Sequence, residues 1–248
     1  MRERGLSTIN GDLVLDRSFF QNASHDPAKF DGEPLRAYNV GPDALLLNFK
    51  TERFFFLPSV DEKSVSISPD VRPAQLEIVN RVKLVDGFCG EWRDRVVMDV
   101  QAPTPTKLKV SFTGDYSRRC GEKIWNVSLL DHARFIGGVF AGLWRDVGGS
   151  WNGAVKIAPA PAEARLIATL ESPPLADTVR DINKFSNNVM ARQLFLTLSA
   201  ELGKEAGSQE ATAQIIREWL MKKTIAAPEL VLENGSGLSR IERISAAT

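Results

Sequence analysis

The sequence lacks an excess of charge of either sign and has few histidines and cysteines. Lysine plus arginine total 31, aspartate plus glutamate total 31, and the 248 residues include only two histidines and two cysteines. A net charge of zero provides neither the basic field for non-specific nucleic-acid binding nor attraction to an anionic membrane. We therefore expect neither a nucleic acid nor a membrane surface as a partner.

Long hydrophobic segments are also missing. The longest uninterrupted apolar runs, residues 44–47 and 54–57, fall far short of the roughly 18 residues that predict a membrane span. Residues 1–16 contain no apolar segment behind a basic start, so the sequence predicts no secretory signal. An apolar fraction of 43% is nevertheless ample for one large domain or two smaller ones.

The two cysteines are the only thiols. No histidine stands at ligand spacing from Cys89 or Cys120, which argues against a structural zinc site. From spacing alone, they are either two free buried thiols or one disulfide that closes a loop of about 32 residues. The spacing of these residues therefore predicts no structural zinc site.

Strand periodicity dominates the stretch from about residue 44 to residue 128. Residues 107–113 alternate apolar and polar side chains without a fault, and residues 64–68 do so over a shorter distance. Turn residues separate such segments. We predict a small β-domain here, of the sandwich or barrel kind.

Helical periodicity then takes over, with strands between the first helix and the rest. Apolar residues within 136–147 share one helical face, with Asp131 as the predicted N-cap. Residues 154–157 and 164–170 are predicted strands, and residues 174–221 are predicted to form three helices, the last capped by Ser208. A last short element at residues 229–232 leads into a tight turn. The chain is therefore expected to be β-rich in its first two thirds and α-rich in its last.

A polar step interrupts the predicted helices at Ser186-Asn187-Asn188. A hydroxyl and two amides at a helix junction could converge on a ligand. The alternative is that Ser186 and Asn187 only cap the second helix, because serine and asparagine are preferred N-cap residues.

Five segments together carry a family resemblance. Besides the Ser-Asn-Asn step, they are residues 11–16, 38–42, 115–121 and 233–240. Taken in the order in which they occur along the chain, these segments resemble the D-alanyl-D-alanine carboxypeptidases and endopeptidases of the class C penicillin-binding protein type, the penicillin-binding protein 4 family. The resemblance extends over essentially the whole chain.

The resemblance implies a serine-type hydrolase. Its members use a nucleophilic Ser-x-x-Lys motif, a second motif Ser-x-Asn and a third motif Lys-Thr-Gly, and Ser186 and Asn188 match the second. The nucleophile forms an acyl-enzyme, the second serine can relay a proton to the leaving D-alanine, and water then hydrolyses the ester. The implied reaction requires no metal or other cofactor. Peptidoglycan stem peptides and β-lactams are the implied partners of the intact enzyme.

The other two motifs are absent from the 248 residues. No serine is followed three positions later by lysine, and Lys223-Thr224 is followed by Ile225 instead of glycine. We therefore expect the middle part of such an enzyme, inactive alone. Two alternatives remain open: a non-catalytic module that binds peptidoglycan or a partner enzyme, and the product of a pseudogene or misread frame.

The resemblance also implies an α+β multidomain organisation, with β-rich accessory domains followed by the helical part of a β-lactamase or transpeptidase-like domain. Residues 1–43 with 115–165 would form one accessory domain, 44–114 an inserted β-domain, and 166–248 part of the catalytic domain. A periplasmic location is implied too, and oxidising conditions there favour a bridge between Cys89 and Cys120.

Three residues are candidates for substrate contacts. By the resemblance, Asp16, Phe20 and Arg240 would line a pocket for the diamino-acid side chain of a stem peptide. The alternative is that Asp16 ends a strand and Arg240 pairs with a surface carboxylate.

Apolar side chains on the last helices are expected to lack part of their covering surface. Phe195, Leu196 and Trp219 would then be exposed or would pair with a second copy of the chain. Self-association is expected on this basis.

Overall fold

The computed structural model describes residues 5–21, 25–59, 64–104, 106–203 and 205–246. Spatial contacts divide them into two compact units. A β unit contains the described residues within Arg2–Asp12 and Lys50–Val155, and a helical unit contains those within Leu13–Phe49 and Lys156–Thr248.

One three-stranded sheet of the β unit is mixed. Strand β5 (Leu76–Val85) runs parallel to the central strand β7 (Lys107–Ser117), and β6 (Val96–Thr104) pairs with β7 antiparallel. Along β7, Leu108 and Phe112 are fully buried while Lys107 is exposed, because successive side chains point to opposite faces of a strand. The strand predicted at residues 107–113 is confirmed.

A second sheet supplies the facing aromatic layer. Strand β3 (Glu52–Pro58) lies between β4 (Val65–Pro69) and β8 (Lys123–Val127), with both pairings antiparallel. The ring of Phe56 packs edge-on against that of Phe112 with centroids 5.2 Å apart. Both rings belong to one core cluster, which holds the β unit together.

The disulfide links the ends of two parallel strands. Cys89 follows β5, Cys120 follows β7, and their sulfur atoms are bonded with the Cα atoms 4.8 Å apart. The neighbouring Tyr116 is buried and donates a hydrogen bond to the carbonyl of Gly121 at 2.8 Å. Burial raises the pKa of Tyr116 to about 12, so its hydroxyl keeps its proton and acts as a donor.

The β unit also contains helix α1 (His132–Asp146) and two short strands. Asp131 caps the helix by accepting a hydrogen bond from the backbone N–H of Arg134 at 2.9 Å, as predicted. After the helix, β9 (Ser150–Trp151) pairs in parallel with β1 (Thr8–Ile9). The amino-terminal strand is thereby joined to residues far along the chain.

The helical unit has three α-helices and a short strand pair among its described residues. Strand β2 (Leu13–Leu15) pairs with β10 (Val155–Ile157). Helices α2 (Leu175–Phe185), α3 (Asn188–Leu202) and α4 (Gln209–Lys222) follow. Ser208 caps α4 by accepting from the backbone N–H of Ala211 at 3.2 Å, as predicted. With sheets and helices in both units, the predicted α+β fold class is confirmed.

Two expectations about this unit are wrong. Phe195 and Leu196 are buried in a core cluster with Phe20, whereas Trp219 is 54% exposed as expected. Residues 164–170 form no strand but an exposed connection, in which Leu170 is 98% exposed.

Among the described residues, no helix is long and apolar enough to cross a membrane.

Candidate functional site

The polar step lies where α2 ends and α3 begins. Ser186 ends α2 in the left-handed conformation, with φ 50° and ψ 46°, and its side chain is exposed. Asn187 is the N-cap of α3, because its side-chain oxygen accepts a hydrogen bond from the backbone N–H of Met190 at 3.0 Å. The capping alternative is thus met by Asn187, while the hydroxyl of Ser186 lies on the surface of the junction.

Asn188 connects this junction to the turn near the carboxyl end. Its side-chain Nδ2 donates a hydrogen bond to the carbonyl oxygen of Ser236 at 2.9 Å. Asn234 organises that turn by accepting hydrogen bonds from the N–H of Ser236 at 3.0 Å and from its hydroxyl at 2.6 Å. Two of the segments that carry the family resemblance therefore meet through a side-chain contact.

A buried cation attaches a third such segment to α3. The Nη1 atom of Arg192 donates to the carbonyl oxygens of Tyr38 and Val40 at 2.8 and 2.9 Å. Burial lowers the pKa of Arg192, and the carboxylates of Glu233 and Glu242 oppose that change. The segment around residues 38–42 is thus held against the helix that begins at Asn188.

A further contact between α3 and this segment is made by Gln193, which follows Arg192, and by Asp43. The side-chain amide of Gln193 donates to the carbonyl of Asp43 at 2.8 Å and accepts from its backbone N–H at 3.1 Å. The buried carboxylate of Asp43 also forms an ion pair with Arg17, with Nε and Oδ2 2.7 Å apart. The ion pair and the hydrogen-bonded backbone groups of Asp43 hold the end of the segment at residues 38–42 in a fixed position.

A cavity of about 140 Å³ opens beside these contacts. Arg240 lines it with its guanidinium 4.4 Å from the ring centroid of Phe30 and with Nη2 donating to the Phe30 carbonyl at 3.0 Å. Lys29 forms an ion pair with Glu233, and hydrogen bonds from Lys29 and then Ser239 lower the pKa of Glu233. The other lining residues are His25, Asp26, Pro27, Asn39, Arg192, Gln209, Asn234, Leu238 and Ile241.

Asp16 lies in a different cavity, with Ser18 and Phe19 in its wall. Its carboxylate accepts hydrogen bonds from the backbone N–H of Ala160 at 2.8 Å and from the N–H and hydroxyl of Ser18 at 2.9 and 2.6 Å. These bonds, the one from Ala160 first, lower the pKa of Asp16 to about 2. Asp16 is therefore ionised at neutral pH.

Phe20 is a core residue, only 5% exposed. Its backbone bridges in parallel to Gly207, and its ring packs with Phe195 and Leu196. The structure thus brings Asp16, Phe20 and Arg240 into three different surroundings. Their role in substrate binding stays a prediction.

Sequence reasoning missed two charged residues of this region, Arg192 and Glu242. Arg192 shares the buried face of α3 with Val189, Phe195 and Ser199, so its helical spacing would have identified it as a buried cation. Glu242 has no such signal, because it acts on backbone N–H groups of a loop.

Comparison with known proteins finds relatives that match all or nearly all of this chain. The model of the D-Ala-D-Ala carboxypeptidase 3 (S13) family matches residues 1–248. D-alanyl-D-alanine carboxypeptidase DacB of Haemophilus influenzae is 23% identical over 250 residues, which cover 100% of this chain and 51% of that protein. The D-alanyl-D-alanine carboxypeptidase of Actinomadura sp. strain R39 is 27% identical over 256 residues, 98% of this chain and 46% of that protein. The chain spans about half the length of these curated relatives.

Solved structures share the fold. Penicillin-binding protein 4 (dacB) from H. influenzae matches with a TM-score of 0.69 at 23% identity, covering 98% of this chain and 53% of that one. The same protein complexed with a novel β-lactam matches with a TM-score of 0.61 at 21% identity, covering 98% and 51%. By the family model that spans all its residues, this chain belongs to the D-Ala-D-Ala carboxypeptidase 3 (S13) family.

Proposed function

We propose that the chain provides the Ser-x-Asn part of a serine-type D-Ala-D-Ala carboxypeptidase or endopeptidase that acts on peptidoglycan stem peptides. The contact between Asn188 and Ser236 carries the proposal, since it joins two resemblance segments at an accessible helix junction. Membership of the S13 family over residues 1–248 supports the same reaction class.

In the proposed reaction, a nucleophilic serine attacks the carbonyl carbon of the penultimate D-alanine, and the bond to the terminal D-alanine breaks. The exposed hydroxyl of Ser186 relays a proton to the departing amine, and the carboxamide of Asn188 holds the substrate's amide. Water then hydrolyses the ester. The 248 residues contain no Ser-x-x-Lys, so the nucleophile is not among them in that motif.

For the diamino-acid side chain of the stem peptide, we propose contacts with Asp16, Phe20 and Arg240, as the resemblance implies. The low pKa of Asp16 keeps a carboxylate available for an ammonium group. The guanidinium of Arg240 could pair with a carboxylate while its stacking on Phe30 fixes its plane.

The division into accessory and catalytic regions is also a proposal, with residues 1–43 and 115–165, 44–114 and 166–248 assigned as the resemblance implies. We propose a periplasmic location for the protein. The disulfide between Cys89 and Cys120 supports it, because such bonds persist in oxidising compartments.

Labelling with a fluorescent penicillin tests whether the chain acylates alone. We expect no covalent label on the purified 248-residue chain, with an intact S13 enzyme as the positive control. A label that maps to a serine within these residues would contradict our assignment of the nucleophile.

Peptide binding tests the role of Asn188 without requiring turnover. A stem peptide that ends in D-Ala-D-Ala should shift the NMR signals of Asn188 and of residues 234–237, and Asn188→Ala should weaken binding. The matched ligand is the same peptide ending in L-Ala-L-Ala. Equal shifts with both peptides would count against a substrate site.

A non-catalytic peptidoglycan-binding module is the second candidate, favoured by the absence of both outer motifs from the 248 residues. Retention on purified sacculi distinguishes it. Retention that survives Asn188→Ala, without stereospecific peptide binding, would support the module over the enzyme.

Self-association through apolar helix surfaces is also proposed. Trp219 and Met221 on α4 are 54% and 65% exposed. Sedimentation should show concentration-dependent dimers that Trp219→Gln weakens. A wild-type monomer at all concentrations would contradict this proposal.

A further inference from the structure

One carboxylate oxygen in the helical unit accepts hydrogen bonds from three successive backbone N–H groups. The Oε1 atom of Glu242 accepts hydrogen bonds from the N–H groups of Glu233, Asn234 and Gly235 at 2.9, 2.8 and 3.2 Å. Consecutive N–H groups that converge in this way form an anion-binding nest, and bonds to an ionised acceptor are stronger than neutral ones. Here the anion is a side chain of the same loop.

The backbone of Glu242 is fixed from the other side by Ser239. The hydroxyl of Ser239 accepts from the N–H groups of Ile241 and Glu242, both at 3.0 Å, and donates to Oε2 of Glu233 at 2.5 Å. Residues 233–242 are thus closed into a loop by side-chain bonds at both ends. The position of Glu242 is well defined relative to the three N–H groups that it binds.

The last residue of the nest is adjacent in the chain to the residue that Asn188 contacts. Gly235 precedes Ser236, whose carbonyl oxygen accepts the hydrogen bond from Nδ2 of Asn188. Rotation of the backbone at Asn234 or Gly235 would turn that carbonyl away. We propose that Glu242 is a positioning residue, which orients the carboxamide of Asn188 by fixing the backbone of residues 233–235.

The catalytic meaning of this proposal rests on the proposed function, but the orientation of Asn188 can be measured separately. The variants are Glu242→Ala, which removes the acceptor, and Glu242→Gln, which keeps an oxygen acceptor without the charge. Glu229→Gln is the matched control, because Glu229 is also a glutamate that accepts a hydrogen bond from a backbone N–H, that of Ser245 at 3.1 Å, outside the loop.

Three readouts are taken on the 248-residue chain: the side-chain amide NMR signal of Asn188, hydrogen exchange of the N–H groups of residues 233–235, and the melting temperature. In Glu242→Ala, we expect the Asn188 signal to move and the three amides to exchange about tenfold faster or more. Glu242→Gln should restore most of the wild-type Asn188 signal. Glu229→Gln should leave both the Asn188 signal and the exchange of residues 233–235 unchanged.

A merely structural role would give a different result. If folded Glu242→Ala melts earlier while the Asn188 signal stays in place, the proposal is overturned. If Glu242→Ala does not fold, Glu242→Gln decides. A neutral amide oxygen is a weaker acceptor than a carboxylate, so the N–H groups of residues 233–235 should exchange faster in this variant than in the wild type. Exchange at the wild-type rate or slower would overturn the nest. A different outcome would refute the proposed function alone. In that case, the wild-type chain does not bind the D-Ala-D-Ala peptide, but the NMR signal of Asn188 still moves in Glu242→Ala.

Discussion

Oε2 of the Glu52 carboxyl accepts a hydrogen bond from the backbone N–H of Leu129 at 3.2 Å, and Oε1 is buried with no hydrogen-bond partner among the described residues. The side chain is fully inaccessible to water. Burial raises the pKa of Glu52 to about 7. Hydrogen bonds from the backbone N–H groups of Leu129 and of Glu52 itself and the charge of Lys50 act in the opposite direction, and the charge of Asp70 adds to the rise. Near neutral pH, the β unit therefore contains a carboxyl group that is poised between two charge states.

The first prediction is that stability falls as the pH rises through neutrality. The pKa of Glu52 is higher in the folded than in the unfolded chain, so the unfolded chain loses this proton first and is favoured at higher pH. Its contribution should be fully present below the unfolded pKa and should shrink by about 2 to 3 kcal/mol between about pH 5 and about pH 8. Urea unfolding across this range measures the change.

Glu52→Gln should flatten that pH dependence, because the amide does not titrate. Its absolute stability is less informative, since a buried amide N–H without a partner has its own cost. The exposed Glu77 on β5 provides the control variant Glu77→Gln, which should keep the wild-type slope. A wild-type slope in Glu52→Gln would show that another group is responsible.

The second prediction concerns the disulfide between Cys89 and Cys120, which are separated by 31 positions. Replacing both with serine should lower the free energy of unfolding by about 3 to 4 kcal/mol, because the unfolded chain gains the freedom of an open loop. Denaturant unfolding with and without reductant gives the difference. Reductant should destabilise the wild type to the same extent and leave the double variant unchanged; an equal response in both would contradict the assignment.

Local signals in the sequence were sufficient for most of the helices. Asp131 and Ser208 have the side chains that satisfy free N–H groups at a helix start, and the structure uses both for this purpose. The alternation within residues 107–113 similarly reports a strand with one buried face. These features depend only on neighbouring residues, so the sequence alone can predict them.

Features that depend on distant partners were predicted less well. Residues 164–170 have a strand-like pattern, but a pattern does not supply a neighbouring strand edge, and the structure leaves the segment exposed. Phe195 and Leu196 were expected on the surface, yet Phe20 from the other stretch of the helical unit packs on them. The nest around Glu242 was missed because backbone N–H groups have no sequence signature.

The third prediction follows from the burial of Phe20. Phe20→Ala should destabilise the chain by about 3 to 5 kcal/mol, since it leaves a cavity against Phe195 and Leu196. The adjacent Phe19 is 45% exposed, so Phe19→Ala should cost less than about 1 kcal/mol. Thermal unfolding compares the two. Equal losses would mean that Phe20 does not have the core position described for it.

The fourth prediction separates backbone strain from steric clash in the loop that carries the Ser236 carbonyl. Gly235 and Gly237 both have positive φ, 69° and 75°, so alanine at either position should cost about 1 kcal/mol. Only at Gly235 would the new Cβ also meet the ring of Phe195, 2.6 Å from Cδ2, while nothing lies within 4 Å at Gly237.

Gly235→Ala should therefore be the more destabilising of the two by about 1 to 3 kcal/mol, because the Phe195 ring must move within a packed core. It should also shift the Asn188 side-chain amide signal, which Gly237→Ala should leave near its wild-type position. Thermal unfolding and NMR on the same samples check both effects. Equal destabilisation by the two variants would show that strain at positive φ dominates and that Phe195 yields without cost.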